Sequence, residues 1–204
     1  MTYPGLTFIS PSILTDDKSL VYLLSHEISH SWTGLLVTPA NWQNLWLSEG
    51  FTVFLQRKVS QIIYGEDIAN IEAKNGYNAY LEDINNYGTN NTYTSLLPQF
   101  GESDPDDYAY AFSEVPYEKG FNFLYYLETL VNKTNFQIIL KEYINAFKFQ
   151  SIDYLNFKDL FEKQVRILFT DEEKANTIIN TVDWNSWILS PGLPVVKNAF
   201  RKLK

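Results

Sequence analysis

Apolar residues recur at helical spacing through most of this chain, and the pattern breaks only in a few places. After Thr15-Asp16-Asp17, an N-cap cluster with acids in the first turn, Leu20, Leu23, Leu24 and Ile28 fall on one face, and Gly34 offers a stop. A loop through Thr38, Pro39 and Asn41 leads to a second expected helix from about Trp42 to Ser60, with Leu45, Trp46, Val53 and Phe54 as its stripe. A third is expected between Glu66 and about Asn86. Ser113 is read as the cap of a helix through Tyr117 and Phe121 to about Val131. Thr134 is read as the cap of another, with Phe136, Ile139, Leu140, Tyr143 and Phe147 on one side. Shorter helices are expected near 157–168 and 171–180, before an aromatic DWNSW turn.

Two stretches lack that period. Tyr3 to Ser10 is rich in β-formers and reads as one short strand. Residues 87–107 are rich in Asn, Thr, Ser, Gly and Pro and read as an irregular excursion. The expected fold class is therefore mainly α with a residual short β-strand, as a single domain over 1–204.

Composition narrows the chemistry. Apolar residues make up 45% and aromatics 16%, enough for an ordered core. A net charge of −8 argues against nucleic acid or an anionic membrane as partner. The absence of cysteine removes disulfides, thiolate metal sites and cysteine nucleophiles. With no basic leader and no apolar run near the ~18 residues of a membrane span, a cytoplasmic protein is expected.

Both histidines of the chain lie in HEISHSW, four residues apart. On a helix, positions i and i+4 share a face, so His26 and His30 can present imidazole nitrogens to one metal, with Glu27 beside them. Catalytic zinc takes three protein ligands and keeps a fourth position for water. Glu49, nineteen residues beyond His30 on the second expected helix, is the candidate third ligand. One Zn²⁺ per chain is expected, with Glu27 as general base.

HEISHSWTG, WLSEGFTVFLQR, SEVPYEKGF and VDWNSWILSPGLP together resemble the leukotriene A(4) hydrolase and aminopeptidase B branch of the zinc aminopeptidases, along essentially the whole chain. The resemblance implies His26, His30 and Glu49 as zinc ligands, Glu27 as general base, and Tyr117 as the phenol that stabilises the oxyanion. It implies a peptide substrate, the helical part of a thermolysin-like catalytic domain, and epoxide hydrolysis by analogy.

Several positions depart from the family pattern. Thr2 stands where the family has the Glu that binds a peptide's α-amine, and a neutral hydroxyl cannot pair with an ammonium as a carboxylate does. Gln56 stands where the family usually has Glu, seven residues beyond Glu49 and on the same helix face; if that position supports the metal ligands, the change keeps hydrogen bonding but removes a charge, which would weaken metal affinity. Phe112 replaces a Tyr of some relatives and reads as a packing change. The Asp104–Asp107 run resembles an acidic substrate-pocket segment, which makes Asp106 a candidate substrate contact, set against a solvated loop acid. The family's β-rich N-terminal domain and helical solenoid do not fit within the chain, so its partners would include those domains. Three readings stay open: an aminopeptidase, a zinc endopeptidase, and a truncated paralogue that binds zinc without turnover.

Overall fold

The computed structural model describes residues 2–17, 19–100, 110 and 112–193. The expected first strand is a hairpin instead: β1 (Thr2–Tyr3) pairs antiparallel with β2 (Leu6–Thr7), Thr2 opposite Thr7. Gly5 turns the chain at φ 77°, which lets so short a segment pair with itself.

Helix α1 covers Val21–Ser29, a later start than the acidic cluster suggests. Asp17 closes a turn on the Ser19 amide at 3.0 Å, so it does not cap the helix. Past α1, β3 (Val37–Pro39) pairs in parallel with β4 (Gln150–Ile152), a contact between distant segments that local pattern does not reveal. Asn41 caps a short 3₁₀ turn, Trp42–Asn44, and α2 follows over Trp46–Tyr64. Gly65 separates α2 from α3 (Glu66–Tyr87).

Residues Val115–Lys119 form a π-helix that runs into α4 (Gly120–Val131). Ser113 is no cap here: its hydroxyl donates to the Tyr110 carbonyl at 2.8 Å. Asn132, not Thr134, caps α5 (Lys133–Phe147), and its side chain accepts from the Asn135 amide at 3.1 Å. Helices α6 (Tyr154–Leu168) and α7 (Glu172–Thr181) follow, and DWNSW winds into a π-turn over Asn185–Leu189.

The core lies among α2, α4, α5, α6 and that final turn. Trp46, Phe51, Phe123, Phe136, Phe157, Phe161 and Trp187 are all buried in it. A smaller cluster of Tyr80, Ile84, Tyr110 and Val115 sits between α3 and the π-helix. Helices α2 and α4 touch backbone to backbone at Gly50 and Gly120, where a Cβ on Gly50 would lie 2.8 Å from the Gly120 Cα. That close approach draws the π-helix, and Tyr117 with it, against α2.

A buried ion pair ties the same elements together. Arg57 of α2 grips Glu118 through two hydrogen bonds of 2.9 and 2.6 Å and lies 4.0 Å over the Phe121 ring. Gly76 of α3 leaves the room for it, since a side chain there would collide with both partners. Among the described residues, no helix is long and apolar enough to cross a membrane.

Candidate metal centre

The two histidines project from α1 on the same side, with ring centroids 4.8 Å apart and planes nearly perpendicular. Their Nε2 atoms are 3.2 Å apart. Glu49, from the first turn of α2, brings its Oε2 to 3.5 Å from His26 Nε2 and 3.3 Å from His30 Nε2. Three donor atoms thus form a nearly equilateral triangle. The edge of a tetrahedron built on bonds of about 2.0–2.1 Å is about 3.3 Å, so the triangle suits one small divalent ion. Glu49 Oε2 is buried and makes no hydrogen bond, an orphaned acceptor that such an ion would satisfy. Among the described residues this is the one cluster of three potential metal-ligating side chains.

The far side of each ring orients it. His30 Nδ1 is 3.0 Å from the Thr33 carbonyl, with the Thr52 and Ser48 hydroxyls at 3.2 and 3.4 Å. His26 Nδ1 is 3.0 Å from Gln56 Oε1, and Gln56 is buried. With Nδ1–H donated to these oxygens, each Nε2 lone pair is free to face the common centre. Gly34 makes the fit around His30 possible. At φ 122° it holds a conformation glycine tolerates, and a Cβ there would lie 2.5 Å from Ser48 Oγ and 3.1 Å from His30 Nδ1.

Charge follows geometry. Burial alone would raise the Glu49 pKa, but the two imidazoles facing the carboxylate outweigh it and hold the pKa at about 2. Burial lowers and the Glu49 carboxylate raises His30, with a net upward shift. Burial also opposes the charge on Glu27, and the hydrogen bonds it accepts more than offset that, leaving its pKa below the ordinary carboxyl range. One of those bonds comes from Thr2, whose hydroxyl donates to Glu27 Oε2 at 2.7 Å. Burial, then the charges of Glu49, Glu114 and Glu27, push the Tyr117 phenol upward, so it keeps its proton and can donate. Its ring stacks on His26 at 6.1 Å between centroids.

Thr2, His26, Glu27, His30, Glu49 and Tyr117 all line one open cleft. The sequence-derived candidates therefore meet, except Asp106, which lies outside the described residues. Phe112 corrects its reading as a packing change: it is 87% exposed and stands at the rim of the cleft, with no core to fill. Sequence reasoning missed the Thr33–Ser48–Thr52 cradle of His30. Its one signal was Ser48 and Thr52 at i, i+4 beside Glu49.

The peptidase family M1 domain matches residues 1–187. The chain belongs to peptidase family M1. Leucine aminopeptidase 2 of Neosartorya fischeri is 39% identical over 194 residues, covering 95% of this chain and 30% of that protein. Its counterpart in Aspergillus clavatus is 41% identical over 195 residues, with the same coverages. The native structure of yeast LTA4 hydrolase superimposes with a TM-score of 0.83 at 34% identity, over 96% of this chain and 30% of that one. An M1 zinc metallopeptidase of Deinococcus radiodurans, 19% identical with a TM-score of 0.65 over 93% of this chain and 36% of that one, shares the fold. This M1 chain thus spans about 30% of the length of the curated relatives it matches. Its architecture is the helical part of an M1 catalytic domain, and its relatives fall in the branch that the sequence motifs resemble.

Proposed function

We propose that this chain carries the catalytic centre of a zinc aminopeptidase, with His26, His30 and Glu49 holding one zinc ion. The supporting observation is the triangle of two imidazole nitrogens and a carboxylate oxygen, with Glu27 and Tyr117 on the same cleft. Two His and one Glu form an established donor set for catalytic zinc, and the open cleft leaves room for water and a peptide. A zinc ion held there supplies Lewis acidity and lowers the pKa of bound water from 15.7 to about 7.

The chain's own groups do the rest. Glu27, ionised, accepts the proton of the attacking water and returns it to the leaving amine. Tyr117, protonated, donates to the carbonyl oxygen as that oxygen gains negative charge. Thr2 holds the Glu27 carboxylate in one orientation through its 2.7 Å bond. Leucine aminopeptidase 2 is the name carried by the fungal relatives, and N-terminal peptide cleavage is the activity taken from it. Epoxide hydrolysis, taken from the yeast relative, would draw on the same centre.

The test pairs metal content with turnover. Purified protein should hold about one zinc per chain, and Glu27→Gln should keep the zinc while cutting peptidase rate about 10²–10⁴-fold. A Glu27→Gln variant with full activity would overturn the assignment of the base. The Thr2 hydroxyl is engaged with Glu27, and the motif resemblance puts Thr2 at the family's α-amine position, which favours a second reading, a zinc endopeptidase. Aminoacyl amides with free and acetylated N-termini separate the two. Equal cleavage of both would reject the exopeptidase.

A further inference from the structure

A second cavity adjoins the cleft of the candidate metal centre, between α1, α2, α3 and the π-helix. His26, Glu27 and Tyr117 line both spaces, whereas Thr2 lines the first and not the second. The three shared residues stand at the divide, where the bond to be broken would lie. The motif resemblance puts Thr2 at the family's α-amine position. A peptide with its amino end on that side runs across the divide, and the residue just beyond the broken bond falls in the second cavity.

The charges around this cavity do not balance. Arg57 is the one Lys or Arg among the described residues that line it, and it is committed to Glu118 at 2.6 Å. Glu72 and Glu114 line the same space, and among the described residues neither has an ion pair of its own. The Ser60 hydroxyl donates to Glu72 Oε1 at 3.1 Å, while Glu72 Oε2 is buried and makes no hydrogen bond. Glu114 is exposed, and its amide donates to Asp83 at 2.5 Å, which brings a further acid close. Burial raises the pKa of both carboxyls, and the charges of Glu118 and Asp83 raise that of Glu114 further. On the α1 and α2 side, Tyr22, Leu23 and Val53 supply apolar surface. Apolar surface beside two uncompensated carboxylates suits a side chain with an aliphatic stem and a cationic head.

We propose that this second cavity receives the first residue of the leaving segment and, through Glu72 and Glu114, selects lysine or arginine there. The proposal rests on the zinc aminopeptidase reading, and the experiment keeps the two separable. Leu-Arg-amide and Leu-citrulline-amide have nearly the same shape and differ by one charge, with leucine first as in the name of the fungal relatives. The kcat/KM of the wild-type chain should favour the arginine peptide about tenfold, as part-screened charges would give. That preference should shrink as salt is raised from about 0.05 to 0.5 M. Glu72→Gln with Glu114→Gln should bring the ratio to about one. Should the double variant fail to fold, Glu114→Gln alone, at an exposed position, should cut the ratio about threefold. A variant that merely disturbed the fold would lower both peptides together and leave the ratio in place.

Binding supplies a readout besides turnover. Dissociation constants measured by calorimetry on the slow Glu27→Gln chain should show the same preference for the arginine peptide. Equal constants for the two peptides, or no binding of either, would overturn the selectivity, as would a ratio that the Glu72 and Glu114 variants leave unchanged. Failure of the zinc aminopeptidase reading has a different mark: the chain holds no zinc and cleaves neither peptide, whatever the two dissociation constants.

Discussion

Helices α1 and α2 both contribute to the candidate metal centre, yet they are anchored very differently. Within α1 only Ser25 and Ser29 are buried, while Leu23 and Ile28 are 38% and 45% exposed. Along α2, Trp46, Leu47, Phe51, Val53 and Phe54 all lie in the core. The helix that carries His26, Glu27 and His30 is thus a guest on the helix that carries Glu49. Its attachment is small and polar: two serines that permit close approach, then Thr33, whose hydroxyl meets that of Thr52 at 2.7 Å. Precision at this centre is therefore supplied by α2, which also provides Ser48, Thr52 and Gln56 behind the imidazoles.

The largest contrast should come from emptying each helix in turn. Trp46→Ala removes a fully buried indole and should cost about 3–5 kcal/mol in urea denaturation. Ile28→Ala on α1 should cost under about 1 kcal/mol, as exposed substitutions do. Equal losses would mean that α1 is as deeply anchored as α2.

Breaking the ion pair beneath α2 should be nearly as severe. Arg57→Met leaves the Glu118 carboxyl buried without its partner, an effect of about 3–5 kcal/mol, and adding Glu118→Leu should recover most of it. A double variant as unstable as the single one would show that the pair matters through packing rather than charge.

Gly34 tests the attachment of α1 directly. Gly34→Ala should cost about 1–3 kcal/mol and also weaken zinc binding, because the new methyl meets Ser48 Oγ and His30 Nδ1. Gly65→Ala is the control. It has φ 91° and open space around the added carbon, so it should lose stability without changing zinc affinity. Matching zinc affinities in the two variants would remove Gly34 from the cradle.

A pH slope tests the anchored side. Lys119 is fully buried, its Nζ donating to the carbonyls of Thr94 and Ser190 at 2.9 and 2.8 Å, and burial lowers its pKa from 10.5 to about 7. Between those values the unfolded chain holds a proton that the folded chain has released. Stability should therefore rise with pH from about 7 towards 10, by at most about 1.4 kcal/mol per unit. Lys119→Met should flatten that slope in denaturation series at pH 7, 8 and 9. An unchanged slope would assign it to other groups.

The helical plan was readable along the chain because amphipathic spacing is local. α3 and α5 to α7 appear close to where their apolar periods place them, and the metal candidates were legible because i, i+4 geometry within α1 is also local. Caps were read less well. Asp17, Ser113 and Thr134 have capping chemistry, but each competes with another partner or is pre-empted by a better-placed neighbour such as Asn132. The β3–β4 pair, the Arg57–Glu118 clasp and the contact of Gly50 with Gly120 join residues far apart in sequence, and no window of the chain contains both halves.

By itself, then, the amino-acid order determined the helix periods, the pairing of two imidazoles on one face, and Glu49 as the candidate for a third donor. Only the tertiary structure decided which oxygen stands behind each imidazole, that Thr2 reaches Glu27, and that Phe112 faces solvent at the rim of the cleft. The physical reason is range. Helical periodicity is set within a few residues, whereas the orientation of a ring and the company of a carboxylate depend on whichever segments the core brings beside them.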